Sequence, residues 1–397
     1  MEDQTDPAGP APASTPAPTP ASAPVRLDAA AGRPLHPAAL EVLDAALARG
    51  WADPRALHRP GRDARLLLEN AREVVAGSLG VRRDEVRFTS PVDAVQRGLL
   101  GLARARLDAG ARDLVLAPVE HAHVRHAASW WAQVHGGAVH EAPVGRDGRV
   151  DLDALERLAR APGTAAVALQ LANHEIGTTQ PVGAVALPSS VDLFVDGSAS
   201  LGLLDLPREG WAAAAGHATS WGGPGGVGVL LVRHGARWLN PFPGDPGPQD
   251  AGGALPDAPL ALAAAAALRG TLAERAEVDA RRRRLVDRIR ATAATLPDVD
   301  LVGDPDDRLP HLLTFSCLYL PGDALVRELD RHGFAVASGS ACTASTLEPS
   351  HVLAAVGALT HGNVRLSLAP EVTDDDVERL CHVLPDVVAR LRAEVGL

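Results

Sequence analysis

A thiol, a strand-end carboxylate, a histidine-rich loop and a late arginine are the residues of this chain whose types invite chemistry. Cys342 sits in "SGSACTAST", a run of small residues suited to a loop that swings and exposes a nucleophilic thiolate. Asp196 closes the apolar run "VDLFVD", and His121, His123 and His126 crowd "VEHAHVRH". Asn173 and His174 share "ANHE", and Arg365 stands in "NVRLSL", where a planar guanidinium suits a bidentate grip on a carboxylate. One reactive group is missing. No lysine occurs among the 397 residues, so all 38 Lys+Arg residues are arginine. Guanidinium stays protonated and cannot form a Schiff base, so carbonyl chemistry through a protein amine is closed to these side chains. A GC-rich coding bias, with its abundant Ala, Gly and Pro, accounts for the general loss of lysine but not for a missing catalytic one.

The elements that must position these residues alternate. "HPAALEVLDAALARG", "DARLLLENAREVVAGSLG" and "PVDAVQRGLLGLARARLDAG" carry helical apolar spacing, the last with Pro91 in its first turn. "EVRFTS" reads as a short strand. "DLVLAP", "TAAVALQLA", "VDLFVDG" and "GVGVLLVR" read as buried parallel strands between helices. This order predicts an α/β domain with a large, doubly wound, mainly parallel sheet, and a site at the C-terminal ends of its strands. The Gly/Pro-rich "NPFPGDPGPQDAGGALPDAP" breaks the pattern and leads into a long helix. A smaller α+β domain follows it and carries the cysteine loop. The expected division is a tail over 1–24, a large domain over 25–245, a linker and connecting helix over 246–285, and a small domain over 286–397.

Composition excludes several classes. The net charge of −11 argues against nucleic acid as a partner, since such affinity rests on a basic face. No apolar run reaches the ~18 residues of a membrane span. The Pro/Ala-rich opening lacks the basic and apolar regions of a secretory signal and reads as a disordered tail. Three cysteines, Cys317, Cys342 and Cys381, make no disulfide framework, so a reducing cytoplasm is expected. Cys317 and Cys381 read as core. The histidines around His121 lack the carboxylate or thiol spacing of a metal site, and "GGPGGVG" leads into a strand rather than the helix a dinucleotide fingerprint needs.

From Val25 onward the chain resembles the cysteine desulfurases of the class-V aminotransferase group, pyridoxal-phosphate enzymes of fold type I. The resemblance rests on "RLDAAAGRPLHP", "WADPRALHRPGRDAR" (Asp53 in place of an Asn), "VEHAHV", "ANHEIGTTQPV", "FVDGSASLG", "SGSACTASTLEPSHVL" and "GNVRLSL", which recur in the family's order. It implies that Asp196 pairs with the pyridine nitrogen of pyridoxal phosphate, that His121 stacks on the ring, and that Asn173 or His174 reaches the ring substituents. By the same resemblance Arg365 clamps the substrate carboxylate. Cys342 takes sulfur from cysteine as a persulfide, leaving alanine. A dimer is also implied, with itself or with an active desulfurase, and so is a sulfur-acceptor protein.

The departures fall in the cofactor pocket. In "GHATSWGGPGGVGVLLVR", Ser220 stands where the family has its lysine, and Thr219 where it has a phosphate-holding histidine. "FTSPVDAVQ" replaces a Gly-Ala-Thr phosphate cup: Pro91 removes an N–H, Val92 adds bulk and Asp93 brings a carboxylate. Two like charges about 4 Å apart repel by about 4 kcal/mol at an effective dielectric of ~20. Ala199 replaces a glutamine on the phenolic oxygen, and "GGALPDAP" offers no counterpart to the family's Arg-x-Gly-Thr. Retention of the cofactor is therefore not expected. The reading is a degenerate, regulatory or scaffolding paralogue (a pseudoenzyme), or a persulfide relay through Cys342. The alternatives are an active enzyme that binds the cofactor non-covalently or runs another chemistry, and a pure interaction module.

Overall fold

The computed structural model describes residues 24–50, 52–243, 257–338 and 349–396. Cys342 and most of its loop, the tail ahead of Pro24 and the Gly/Pro-rich stretch over 244–256 lie outside them.

In chain order the strands are β1 (Val25–Arg26), β2 (Val86–Thr89), β3 (Asp113–Leu116), β4 (Val139–Glu141), β5 (Thr164–Gln170), β6 (Asp192–Asp196), β7 (Ala213–His217), β8 (Gly228–Val232), β9 (Val299–Val302), β10 (Leu312–Cys317), β11 (Phe334–Ala335) and β12 (Asn363–Ser367). The helices are α1 (Pro37–Arg49), α2 (Arg59–Leu79), α3 (Pro91–Arg104), α4 (Ala122–His135), α5 (Leu152–Ala159), α6 (Ala258–Ala294), α7 (Gly322–Arg331), α8 (His351–Ala355) and α9 (Asp374–Glu394).

Seven strands form the large sheet in the order β2-β8-β7-β6-β5-β3-β4. β4, β3, β5, β6 and β7 run parallel, so their C-terminal ends open on one edge of the sheet. Every residue of β5 is buried, as expected where helices cover both faces. β8 departs from the expected parallel strand. It pairs antiparallel with both β7 and β2, because the short link from His217 to Gly228 has no room for a crossover helix.

The second core gathers on the antiparallel sheet β12-β10-β9, covered by α7, α9 and the last turns of α6. The start of the chain belongs to this core. β1 pairs with β11, and Leu27 and Ala29 are buried among the small-domain residues. α6 joins the two halves as one helix that runs past the expected break at 285. Asp257 caps it by accepting the Leu260 N–H at 3.1 Å. Ala261, Ala263, Ala264, Ala265, Ala267 and Leu268 bury it in the first core, and Leu285, Val286, Ile289 and Ala293 in the second. Among the described residues no helix is long and apolar enough to cross a membrane.

Candidate functional site

β6 ends on Asp196, 3% exposed, and the turn after it immediately uses the carboxylate. Oδ1 accepts the Ser198 N–H at 2.9 Å and also the Ser198 hydroxyl. The next parallel ends bring two more buried acids, Glu120 after β3 and Glu175 after β5, and a ring of imidazoles. After β3 the chain carries Glu120 and His121. The Glu120 carboxylate is fully buried and accepts the Gln170 N–H at 3.0 Å, and its other oxygen has no partner. Burial first, and then the charge of Asp196, push its pKa up to about 8.

His121 caps α4, its Nδ1 accepting the His123 N–H at 3.1 Å. Its ring lies edge-on to His123 and His174, with centroids 4.4 and 4.7 Å away. Burial lowers its pKa to about 4, against the opposing pull of Asp196. His123 and His217 are lowered too, and His174 and His311 lie well below the usual range, burial being the leading cause in each. At neutral pH these imidazoles are therefore uncharged donors and acceptors. Among the described residues no group of three or more His, Cys, Asp or Glu is arranged to hold a metal ion.

Of the pair left open by the sequence, His174 is the one that lines the cavity; Asn173 does not. Asn173 holds the turn. Its Oδ1 accepts the N–H groups of Glu175 and Ile176, both at 2.8 Å, and its Nδ2 donates to the Val119 carbonyl at 3.0 Å and towards Gln170. The side chain is spent on holding the turn. Both His174 ring nitrogens are buried without partners.

Asp93 likewise stands elsewhere than expected. Its carboxylate turns back along α3, 3.4 Å from the Thr89 hydroxyl and 3.8 Å from Arg97, and does not line the cavity. The first turn of α3 is nonetheless poor in donors. Pro91 has no N–H, Ser90 takes the Asp93 and Ala94 N–H groups, and His217 donates its Nε2–H to the Pro91 carbonyl at 3.2 Å. An imidazole, not the Asp93 carboxylate, stands at the first turn of α3.

At the position of the family's lysine, the Ser220 hydroxyl lies 2.9 Å from both the Leu201 and His217 carbonyls. It is turned into the backbone. Arg365, on β12 and 3% exposed, ion-pairs with Asp28 at 2.9 Å and reaches the His174 carbonyl at 3.4 Å, with its Nε unpartnered. Together with Arg33, His121, His217, Ser198, Ala199, Thr219 and His311 it encloses a cavity of about 120 Å³. Cys342 lies outside the described residues. Of the other thiols, Cys381 is half-buried, and Cys317 is buried and pushed up to about 11, so Cys317 offers no ready thiolate at neutral pH.

Arg33, Glu120, His217 and His311 belong to this region without having been singled out by sequence reasoning. Arg33 and His217 sat within stretches quoted for other residues. His311 follows an ordinary Leu-Pro turn, and no spacing points to it.

Comparison with known proteins agrees with this architecture. The model of the family described as Aminotransferase class-V matches residues 25–380. The chain is 37% identical over 382 residues to an IscS-like cysteine desulfurase of Mycobacterium tuberculosis, covering 92% of this chain and 96% of that protein. It is 32% identical to cysteine desulfurase IscS 1 of Archaeoglobus fulgidus, covering 92% and 97%. A solved NifS-like protein superposes with a TM-score of 0.84 over 93% of this chain and all of that one; at 24% identity this likeness bears on the fold alone. The chain belongs to the class-V aminotransferase family and, within it, to the cysteine desulfurase homologues.

Proposed function

We propose that this chain is a cysteine desulfurase homologue without lysine-bound pyridoxal phosphate, acting as a sulfur relay through Cys342 or as a regulatory partner of an active desulfurase. Pyridoxal phosphate is the cofactor the family implies, and the donor set here does not fit it as the family holds it. One observation carries the reading: the residue at the lysine position is a serine whose hydroxyl is tied to two backbone carbonyls, in a chain with no lysine at all. The His217 imidazole on the first turn of α3 supports it, since it stands where a phosphate would need donors.

The relay chemistry runs through sulfur alone. The Cys342 thiolate attacks the terminal sulfur of a donor protein's persulfide. That sulfur–sulfur bond breaks, the donor leaves as a thiolate, and Cys342 holds the sulfur as a new persulfide with no net oxidation. A dimer, with a second copy or with a lysine-bearing desulfurase, and a sulfur-acceptor protein complete the proposal.

The second reading, an active enzyme, is favoured by the placement of Asp196, His121 and Arg365 around one region despite the losses. The test separates the two. A lysine-bearing desulfurase charged with radiolabelled cysteine is mixed with this chain and with its Cys342→Ser variant. The relay reading expects label on the wild type and none on the variant, with no alanine released by the chain alone. A yellow protein that releases alanine from free L-cysteine would establish the enzyme instead.

A further inference from the structure

Arg33 lies in the loop between β1 and α1 and has no part in the relay. Its Nη1 donates to the Ser220 carbonyl at 2.8 Å, which braces the guanidinium against the residue at the lysine position. Its Nε is buried without a partner. Among the described residues it forms no ion pair within 4 Å, and after burial the largest influence on its charge is another cation, Arg282, ahead of the opposing pull of Asp279, Glu371 and Glu274. Burial and that repulsion lower its pKa to about 10, so the group remains charged at neutral pH.

Arg365 lines the same cavity, and its Nε is also buried and unbonded. The two imidazoles of His174 and His311 line it too, leaving both nitrogens of the first and Nδ1 of the second unpartnered. A single orphaned polar atom is common in a folded protein. Four residues with orphaned atoms on one cavity require an explanation. Guanidinium N–H groups only donate, and a neutral imidazole offers one donor and one acceptor. The missing partner is therefore rich in acceptors. The acids nearby do not supply it: Asp28 already holds Arg365, Asp196 is engaged by Ser198, and Asp279, Glu371 and Glu274, which pull the Arg33 pKa back up, form no ion pair with it within 4 Å.

The cavity, about 120 Å³, has room for a short ligand. A compact ion such as inorganic phosphate satisfies one guanidinium; two guanidinium groups, each with an unpartnered Nε–H, ask for two separated acceptor groups. We infer that this cavity binds a small dicarboxylate, with one carboxylate on Arg365 and the other on Arg33. The inference rests on the proposed reading that the coenzyme does not fill the pocket.

Calorimetric titration of the full chain with succinate, propionate and inorganic phosphate tests it. Succinate is expected to bind at least about tenfold more tightly than propionate, which is ~1.4 kcal/mol. Arg33→Gln is expected to erase that preference while propionate binding persists, with an unchanged circular dichroism spectrum. Arg33→Lys keeps the charge without the fork, and is expected to retain only part of the preference; it serves also if the glutamine variant fails to fold. The assignment is overturned if succinate binds no better than propionate, if phosphate matches succinate, or if the preference survives in either variant at full strength. A parallel titration with pyridoxal phosphate, followed by absorbance, keeps the two ideas apart. Coenzyme binding that succinate displaces would overturn the proposed function. Binding of neither compound would overturn this inference alone.

Discussion

Asn173 and His174 are neighbours in the chain, and their side chains do opposite work. Asn173 satisfies two buried N–H groups and shares the Val119 carbonyl with the Gln170 amide, so truncating it strands two backbone N–H groups at once. Each buried group left without a partner costs about 1–3 kcal/mol, although the turn will relax and recover part of that. Asn173→Ala is expected to lower stability by ~2–4 kcal/mol in urea denaturation. His174 makes no side-chain hydrogen bond to lose, although its ring packs on His121. His174→Ala is therefore expected to cost markedly less, despite lining the cavity. Equal losses in the two variants would contradict this division. The pair also marks a limit of sequence reading. "ANHE" announces a turn and a polar loop, but which side chain faces inward depends on where the Val119 carbonyl lies, and that residue is supplied by a different strand end.

Among the elements, those with strong local signals were legible and those shaped by neighbours were not. α3 was readable from its periodicity and from Pro91, and β5 from its unbroken apolar run. β7 was not singled out: its core is "AAAGH", and alanine and glycine carry little strand preference of their own. It is a strand because β6 and β8 pair with it on both sides. The same crowding appears where α3 crosses the sheet. A methyl group added at Gly98 would fall inside the ring of Phe194, a fully buried residue of β6. Gly98→Ala sets a helix-propensity gain of up to ~1 kcal/mol against an overpacking cost of ~1–3 kcal/mol. A net loss of ~1–2 kcal/mol is expected from the denaturation midpoint, since the flat ring is held by the sheet and cannot swing aside. A stabilised variant would show that α3 lifts off the sheet without penalty. The lack of lysine is visible in the letters, whereas His217 reaching the Pro91 carbonyl requires β7 and α3 to be adjacent.

At the scale of the whole molecule, the buried titratable groups set how stability follows pH, and they act in two opposed sets. Glu120 and Glu175 have pKa values raised from 4.5 to about 8 and about 7, chiefly by burial. Between those limits the folded protein keeps protons that the unfolded chain has released. Their contribution is therefore complete at low pH and is lost as pH rises through about 7 for Glu175 and about 8 for Glu120, at no more than ~1.4 kcal/mol per pH unit for each. His121, His123, His174, His217, His311 and His351 are all lowered from 6.5 by burial. Below pH 6.5 the unfolded chain takes up protons these buried rings refuse, so their effect destabilises the fold as pH falls. Six imidazoles outweigh two carboxyls on the acid side. The expected profile of melting temperature climbs to a maximum near pH 6.5–7 and then declines to about pH 8. Above pH 7 the decline belongs mainly to Glu120, because Glu175 is already half ionised at pH 7 and keeps little of its proton by pH 8. Glu120→Gln keeps an oxygen for the Gln170 N–H and carries no charge to bury, so its melting temperature is expected to stay level from pH 7 to 8 where the wild type falls. A parallel decline in both proteins would place the proton on some other group and remove Glu120 from this role.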